Sequence, residues 1–166
     1  MKYIKSNFFV ENVSLKKLTK AFDTPLYCYS YEKIKKNINN FKFHFNKLNP
    51  LICFAIKSNS NLNIIKEIKK LGLGADVVSQ GELYQALKAG ISPKKIVFSG
   101  VGKNHSELKY AIDRNILLIN SESKSEVIEI EKIAKSKNKV VSIGIRLNPN
   151  TDAKTLNKIS TGKKGD

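Results

Sequence analysis

The 166-residue chain has no tryptophan and only two cysteines, the residue type that stabilises many secreted and metal-bound domains. Cys28 and Cys53 both lie in apolar stretches without neighbouring metal-ligating residues. Two cysteines are also too few for a disulfide scaffold. The sequence therefore predicts buried thiols and no metal site.

Long hydrophobic runs are missing as well. No stretch approaches the roughly 20 uninterrupted apolar residues that a membrane helix needs, and residues 1–7 lack the apolar region of a signal peptide. The hydrophobic content of 41% nevertheless suits a globular chain, whose length allows one domain with a core. We therefore expect a cytoplasmic protein without a membrane partner.

Arginine is scarce although the chain is strongly basic. Lysine and arginine total 30 against 14 acidic residues, a formal net charge of +16, yet the arginines are Arg114 and Arg146 alone. Surfaces that clamp phosphates and read bases favour arginine forks, and here the lysines are spread along the whole chain. The charge therefore gives little support to nucleic-acid binding.

A repeat of strand-like and helical segments dominates the chain after residue 50. Strand-like runs are predicted at 51–56, 75–78, 95–99, 116–120 and 140–147. Helical segments are predicted between them at 61–71, 80–89, 104–114 and 123–137. Short loops between alternating elements are typical of βα units with parallel strands.

Residues 1–30 are interpreted as a lead-in, and residues 31–166 as the start of the repeating domain. Within the lead-in we predict a small helix near residues 15–21 and an extended stretch around Pro25. From residue 31 to about 48, Ile34, Ile38, Phe41 and Phe45 recur at helical spacing, which predicts an amphipathic helix.

The βα repeat fits both an open doubly wound sheet and a closed (β/α)8 barrel of the TIM type. The first strand-to-helix loop lacks a Gly-x-Gly-x-x-Gly phosphate cradle, which weakens the doubly wound alternative. A barrel normally takes about 250 residues, so this chain supplies about five of its eight strands. The predicted fold is an incomplete α/β barrel.

Chemistry-bearing residues follow several of these strands, at the edge where barrel enzymes place their active sites. Lys57 ends the first strand, Asp76 lies on the second, and Arg146 ends the fifth. A lysine at that edge can act as a nucleophile, with Asp76 offsetting its charge and Arg146 orienting the Asp76 carboxylate. The alternatives are that Lys57 merely terminates its strand and that Asp76 and Arg146 form a structural ion pair.

The motifs themselves resemble a known family. The segment from Phe54 to Asn59, Phe-Ala-Ile-Lys-Ser-Asn, is similar to the lysine motif of the fold-type III pyridoxal-phosphate enzymes. Further segments, in order, resemble the diaminopimelate decarboxylases: 74–83 (GADVVSQGEL), 95–103 (KIVFSGVGK), 146–150 (RLNPN) and 158–162 (KISTG). Leu156 and Asn157 depart from the His-Pro that the family usually has.

The resemblance implies that Lys57 holds pyridoxal 5'-phosphate covalently, with Asp76 and Arg146 as catalytic residues nearby. It implies decarboxylation of meso-2,6-diaminopimelate to L-lysine and carbon dioxide, the last step of lysine biosynthesis, in a homodimer. The family's phosphate-binding and ring-stacking residues and its C-terminal β-domain would follow residue 166, so we expect the chain alone to be inactive. A related ornithine- or arginine-type decarboxylase and a non-catalytic pyridoxal-phosphate-binding barrel remain alternatives.

Overall fold

The computed structural model describes residues 2–151, and its contacts divide the chain into two compact units, one up to Pro50 and one from Leu51. The predicted boundary at residue 30 falls within the first unit and remains a prediction. The segment 158–162 and the departures at Leu156 and Asn157 lie outside the described residues.

The first unit combines a small antiparallel sheet with two helices. Strands β1 (Lys2–Ile4), β2 (Asn7–Val10) and β3 (Val13–Ser14) pair in that order and are followed by α1 (Leu15–Phe22) and α2 (Tyr31–Phe45). Both helices were predicted, and the sheet was not. A short 3-10 turn, Asn46–Leu48, completes the end of the predicted 31–48 helix.

The second unit is a parallel sheet of five strands in the order β4-β5-β6-β7-β8. The strands are β4 (Cys53–Ala55), β5 (Gly74–Val77), β6 (Ile96–Phe98), β7 (Leu118–Ser121) and β8 (Ile143–Ile145). The intervening helices are α3 (Leu62–Lys70), α4 (Gln80–Lys88), α5 (His105–Asp113) and α6 (Lys124–Ser136). All nine predicted elements are confirmed, with ends that differ by a few residues.

The strand order distinguishes between the two folds that the sequence left open. A doubly wound sheet reverses its strand order at a switch point, whereas each strand here pairs with the next one along the chain. Consecutive helices also contact one another, α3 with α4, α4 with α5 and α5 with α6, as they do in the outer layer of a barrel. The second unit is therefore part of a (β/α)8 barrel.

The core lies between this sheet and its helices. Successive side chains of a strand point to opposite faces of the sheet. On β5, Ala75 and Val77 are fully buried, and on β6, Ile96 and Phe98 are fully buried. Asp76 lies between Ala75 and Val77 and therefore points to the opposite face, which corresponds to the interior of a barrel.

Three of the four barrel helices begin with the same polar signal. In each, a side-chain oxygen of the cap residue accepts a hydrogen bond from the backbone N–H of a glutamate three residues later. The cap residues are Ser79, Asn104 and Ser123, and the glutamates are Glu82, Glu107 and Glu126. These caps fix where each strand-to-helix loop ends, so they also fix the edge of the sheet that carries the candidate site.

None of the helices described between residues 2 and 151 combines the length and the apolar character that a membrane span requires.

Candidate functional site

Lys57 lies in a tight turn directly after β4. The turn is a 3-10 helix, Ile56–Ser58, in which Ile56 is fully buried while Lys57 is exposed. The Ser58 hydroxyl donates to the Ala55 carbonyl at 2.7 Å and so satisfies an acceptor at the end of the strand. Ile56 thus anchors the turn in the core, and Lys57 projects from the carboxyl edge of the sheet.

The polar residues after Lys57 shape the path into α3. The Asn59 side chain accepts from the Asn61 backbone N–H at 3.0 Å, and the Asn61 side chain caps α3 by accepting from the Asn63 N–H at 2.9 Å. Such local turns are typical of asparagine. The Ser-Asn-Ser-Asn segment therefore holds the Lys57 backbone between two fixed elements.

Asp76 lies on the strand next to Lys57 and takes part in a chain of polar side chains. Its register partner on β4 is Ala55, two residues before Lys57. Asp76 Oδ1 accepts from the Ser99 hydroxyl at 2.8 Å, and Ser99 Oγ accepts from the Asn120 side-chain amide at 3.1 Å. All three side chains are half-buried and lie at the ends of successive strands.

Cys53 lies near Asp76, and its surroundings raise the pKa of its thiol. Burial, and secondarily the negative charge of Asp76, raises the pKa of Cys53 above its ordinary value. The thiol therefore stays protonated, and Cys53 lines the inner face of the sheet as an uncharged side chain. Both Cys53 and Cys28 are free thiols.

Arg146 follows β8 and contacts Glu122 rather than Asp76. Its guanidinium Nη1 lies 3.2 Å from the Glu122 carboxylate, which also accepts from the Gly100 N–H at 3.2 Å. The predicted pairing of Arg146 with Asp76 is corrected by the strand order. Three strand spacings, about 14 Å, separate β8 from β5, and Glu122 offers a carboxylate on the adjacent strand end.

Lys103 is a buried cation at the same edge. Its side chain is fully buried, with Nζ 2.8 Å from Glu126 Oε1 and in contact with the Gly100 carbonyl. The ammonium also lies 5.7 Å from the centre of the Phe98 ring. These contacts hold the loop after β6, which carries Ser99, against the start of α6.

The residues at this edge fit a covalently bound cofactor better than a metal ion. Among the described residues, no group of three or more His, Cys, Asp and Glu side chains is suited to hold a metal. Lys57 Nζ has no hydrogen-bond or ion-pair partner within residues 2–151, so its amine is available for covalent attachment. Asp76 provides a fixed carboxylate on the adjoining strand.

Two residues of this site escaped the sequence analysis, namely Asn120 and Glu122. The signal that points to them is their position, because both lie at the end of β7 in the same place that Asp76 and Ser99 occupy in their units. An asparagine that ends a strand and a glutamate that precedes a helix cap are common in ordinary loops. Their roles therefore depend on contacts that sequence spacing alone does not show.

Comparison with known proteins agrees with this geometry. A model of the family described as "Pyridoxal-dependent decarboxylase, pyridoxal binding domain" matches residues 31–166. Diaminopimelate decarboxylase of Helicobacter pylori is 51% identical over 147 residues, which cover 89% of this chain and 36% of that protein. This chain thus spans little more than a third of the length of that relative.

Solved structures of decarboxylases also match this chain. The crystal structure of Helicobacter pylori diaminopimelate decarboxylase complexed with L-lysine matches with a TM-score of 0.88 and 48% identity, over 91% of this chain and 38% of that one. Lysine decarboxylase from Selenomonas ruminantium matches with a TM-score of 0.72 and 25% identity, over 90% of this chain and 39% of that one. The chain belongs to the pyridoxal-dependent decarboxylase family, and its residues 31–166 match that family's pyridoxal-binding domain.

Proposed function

We propose that this chain is the pyridoxal-phosphate-binding part of a diaminopimelate decarboxylase, which converts meso-2,6-diaminopimelate and a proton to L-lysine and carbon dioxide. The observation that carries the proposal is the position of Lys57. Its exposed amine leaves the carboxyl edge of a barrel sheet beside the strand that bears Asp76. The identity of 51% to a diaminopimelate decarboxylase, against 25% to a lysine decarboxylase structure, supports this substrate.

Lys57 is proposed to hold the cofactor through Nζ. Pyridoxal phosphate, when bound, supplies an electron sink for the pair of electrons left behind by the departing carboxylate. The same Nζ atom can carry a proton to the substrate carbon, because its flexible side chain is anchored only at the turn beneath it. The proton that replaces the carboxylate balances the reaction.

Asp76 and Arg146 are proposed to act by charge. The Asp76 carboxylate favours a cationic nitrogen at Lys57, because opposite charges stabilise each other and Asp76 lies on the strand next to the one that Lys57 follows. Arg146 is paired with Glu122 and is half-exposed, so its guanidinium keeps further N–H donors at the same edge of the sheet. Such donors suit a phosphate or carboxylate group of a ligand.

Chemical trapping tests the assignment of Lys57. The protein is incubated with pyridoxal phosphate and reduced with borohydride, and its peptides are analysed by mass spectrometry. We expect the added mass on the peptide that contains Lys57, its loss in Lys57→Ala, and its retention in Lys66→Ala, a control on the exposed face of α3. Trapping on other lysines with Lys57 unmodified would disprove the assignment.

A substrate assay separates this function from related ones. The full protein, expressed from its own gene, is supplied with diaminopimelate, ornithine, arginine and lysine, and carbon dioxide release is measured. We expect turnover of diaminopimelate alone. Preference for another amino acid would indicate a sister decarboxylase, and cofactor attachment without turnover of any of them would indicate a binding barrel.

Assembly and location are proposed from the same family resemblance. We propose a homodimer, to be measured by sedimentation equilibrium. We propose the cytoplasm as its location, supported by the free thiols of Cys28 and Cys53, since reducing compartments keep cysteines unpaired. A monomer at micromolar concentration would contradict the proposed assembly.

A further inference from the structure

A chain of hydrogen bonds crosses the inner face of the sheet and ends on Asp76. It starts at the Asn120 amide on β7, passes through the Ser99 hydroxyl after β6, and reaches Asp76 Oδ1 on β5. The two distances, 3.1 and 2.8 Å, are those of ordinary hydrogen bonds. Each residue comes from a different βα unit, so the chain connects three successive strand ends.

The direction of this chain follows from proton counting. An ionised carboxylate can only accept, so the single hydroxyl proton of Ser99 goes to Asp76. Ser99 then has only lone pairs to offer Asn120, and Asn120 must present its NH2 group to Ser99. Both hydrogen bonds therefore donate toward Asp76. The bond from Asn120 orients the Ser99 hydroxyl, and the bond from Ser99 stabilises the Asp76 carboxylate as an acceptor.

The backbone beside Asn120 is adapted to this arrangement. Gly144 on β8 is the register partner of Asn120. A Cβ atom added at Gly144 would overlap Asn120 Oδ1. Glycine thus leaves the space in which the Asn120 side chain lies, and the Oδ1 atom occupies that space while the amide faces Ser99.

We propose that Ser99 and Asn120 are positioning residues for Asp76. They hold its carboxylate in a fixed orientation at the strand end next to Lys57. The proposal rests on the proposed function, because it assigns them an effect on the cofactor attached at Lys57. It makes Ser99 the direct partner of Asp76 and Asn120 the residue that orients Ser99.

The test measures the dissociation constant for pyridoxal phosphate by absorbance titration of the full protein expressed from its own gene. A hydrogen bond to a charged group is worth at least about a tenfold change in an equilibrium constant, and the dissociation constant reports the part of it that differs between the free and the cofactor-bound protein. We therefore expect Ser99→Ala to weaken binding about tenfold and Asn120→Leu to weaken it by less. Ser99→Thr keeps the hydroxyl and should bind the cofactor as the parent protein does. Ser136→Ala removes a hydroxyl that bonds within α6 and should leave the dissociation constant unchanged.

A double-mutant cycle with Asp76→Asn separates positioning from general stability. If Ser99 acts through Asp76, then adding Ser99→Ala to Asp76→Asn should change the dissociation constant by less than about twofold. An equal loss in both backgrounds, or no loss with Ser99→Ala alone, would overturn the proposal. Asn120→Leu repeats the cycle independently if Ser99→Ala does not fold, as judged by circular dichroism.

Different results would overturn the positioning role of Ser99 and Asn120 and the proposed function on which it rests. Attachment of pyridoxal phosphate at Lys57 that is insensitive to Ser99 and Asn120 would overturn the positioning role alone. A parent protein that does not attach the cofactor at Lys57 would overturn the proposed function and the positioning role with it. Borohydride trapping of the parent, read by mass spectrometry, distinguishes the two outcomes.

Discussion

Removal of the buried Lys103 ammonium should be among the most destabilising single changes at this edge of the sheet. Lys103→Met keeps most of the side-chain volume but leaves the Glu126 carboxylate, whose side chain is 10% exposed, without its counter-charge. Breaking a buried pair by removing one partner costs about 3–5 kcal/mol. Glu126 Oε2 still accepts from the Glu122 N–H at 3.0 Å, so we expect the lower value, about 3 kcal/mol.

Urea unfolding monitored by circular dichroism measures this change. With a slope of about 2 kcal/mol per molar urea, the midpoint should fall by about 1.5 M. The control is Lys135→Met, which breaks an exposed helix pair with Glu131 and should leave the midpoint nearly unchanged. Lys103→Met combined with Glu126→Leu should be less destabilised than the two changes added together. A shift of Lys103→Met no larger than that of the control would refute the reasoning.

Two further predictions concern stability. Gly74→Ala should lower the urea midpoint because a Cβ there would overlap the Lys95 backbone carbonyl, whereas Gly102→Ala, with no atom within 4 Å of the added Cβ, should not. Hydrogen bonds from the Glu32 N–H and the Ser30 hydroxyl lower the pKa of Glu11, so its contribution to stability should be complete above the unfolded carboxyl pKa and disappear as pH falls through the lowered value. Unfolding followed against pH should therefore show a smaller loss on acidification in Glu11→Gln, and an unchanged profile would contradict this role.

The barrel part of the fold was predictable because each of its elements carries its own local signal. Buried strands appear as short apolar runs, and three of the four helices between them begin at a Ser or Asn cap with glutamate three residues later. The observed ends differ from the predicted ones by a few residues, as for β8, predicted at 140–147 and observed at Ile143–Ile145. Strand order, which distinguishes a barrel from a doubly wound sheet, depends on long-range pairing and needed the structure.

The N-terminal sheet was missed because its turns lack the usual glycine signals. Strands β1 and β2 are joined at Lys5 and Ser6, and β2 and β3 at Glu11 and Asn12. Lys5 and Glu11 have positive φ angles of 52° and 55°, a conformation normally marked by Gly or Asn in tight hairpins. Glu11 also accepts the hydrogen bonds at the start of α2, and no local sequence pattern shows this contact.

At the candidate site, positions were predictable and partners were not. The rule that active-site residues follow the strands of a barrel singled out Lys57, Asp76 and Arg146. Which carboxylate an arginine meets depends on strand spacing and side-chain reach, so Arg146 contacts Glu122 instead of Asp76. The roles assigned to the three residues remain proposals that the trapping and substrate experiments address.

The glutamates at this edge share a geometry that explains why the strand-to-helix loops can carry a site without losing order. Glu107 of α5 accepts from the Gln80 N–H in the preceding unit, and Glu122 accepts from the Gly100 N–H in the unit before its own. Each carboxylate thus satisfies backbone donors that a loop would otherwise leave to water. Because these two contacts connect neighbouring units, a change at one strand end reaches the next through a hydrogen bond. Asp76 on β5 is likewise held by the following units, directly by Ser99 after β6 and through it by Asn120 on β7.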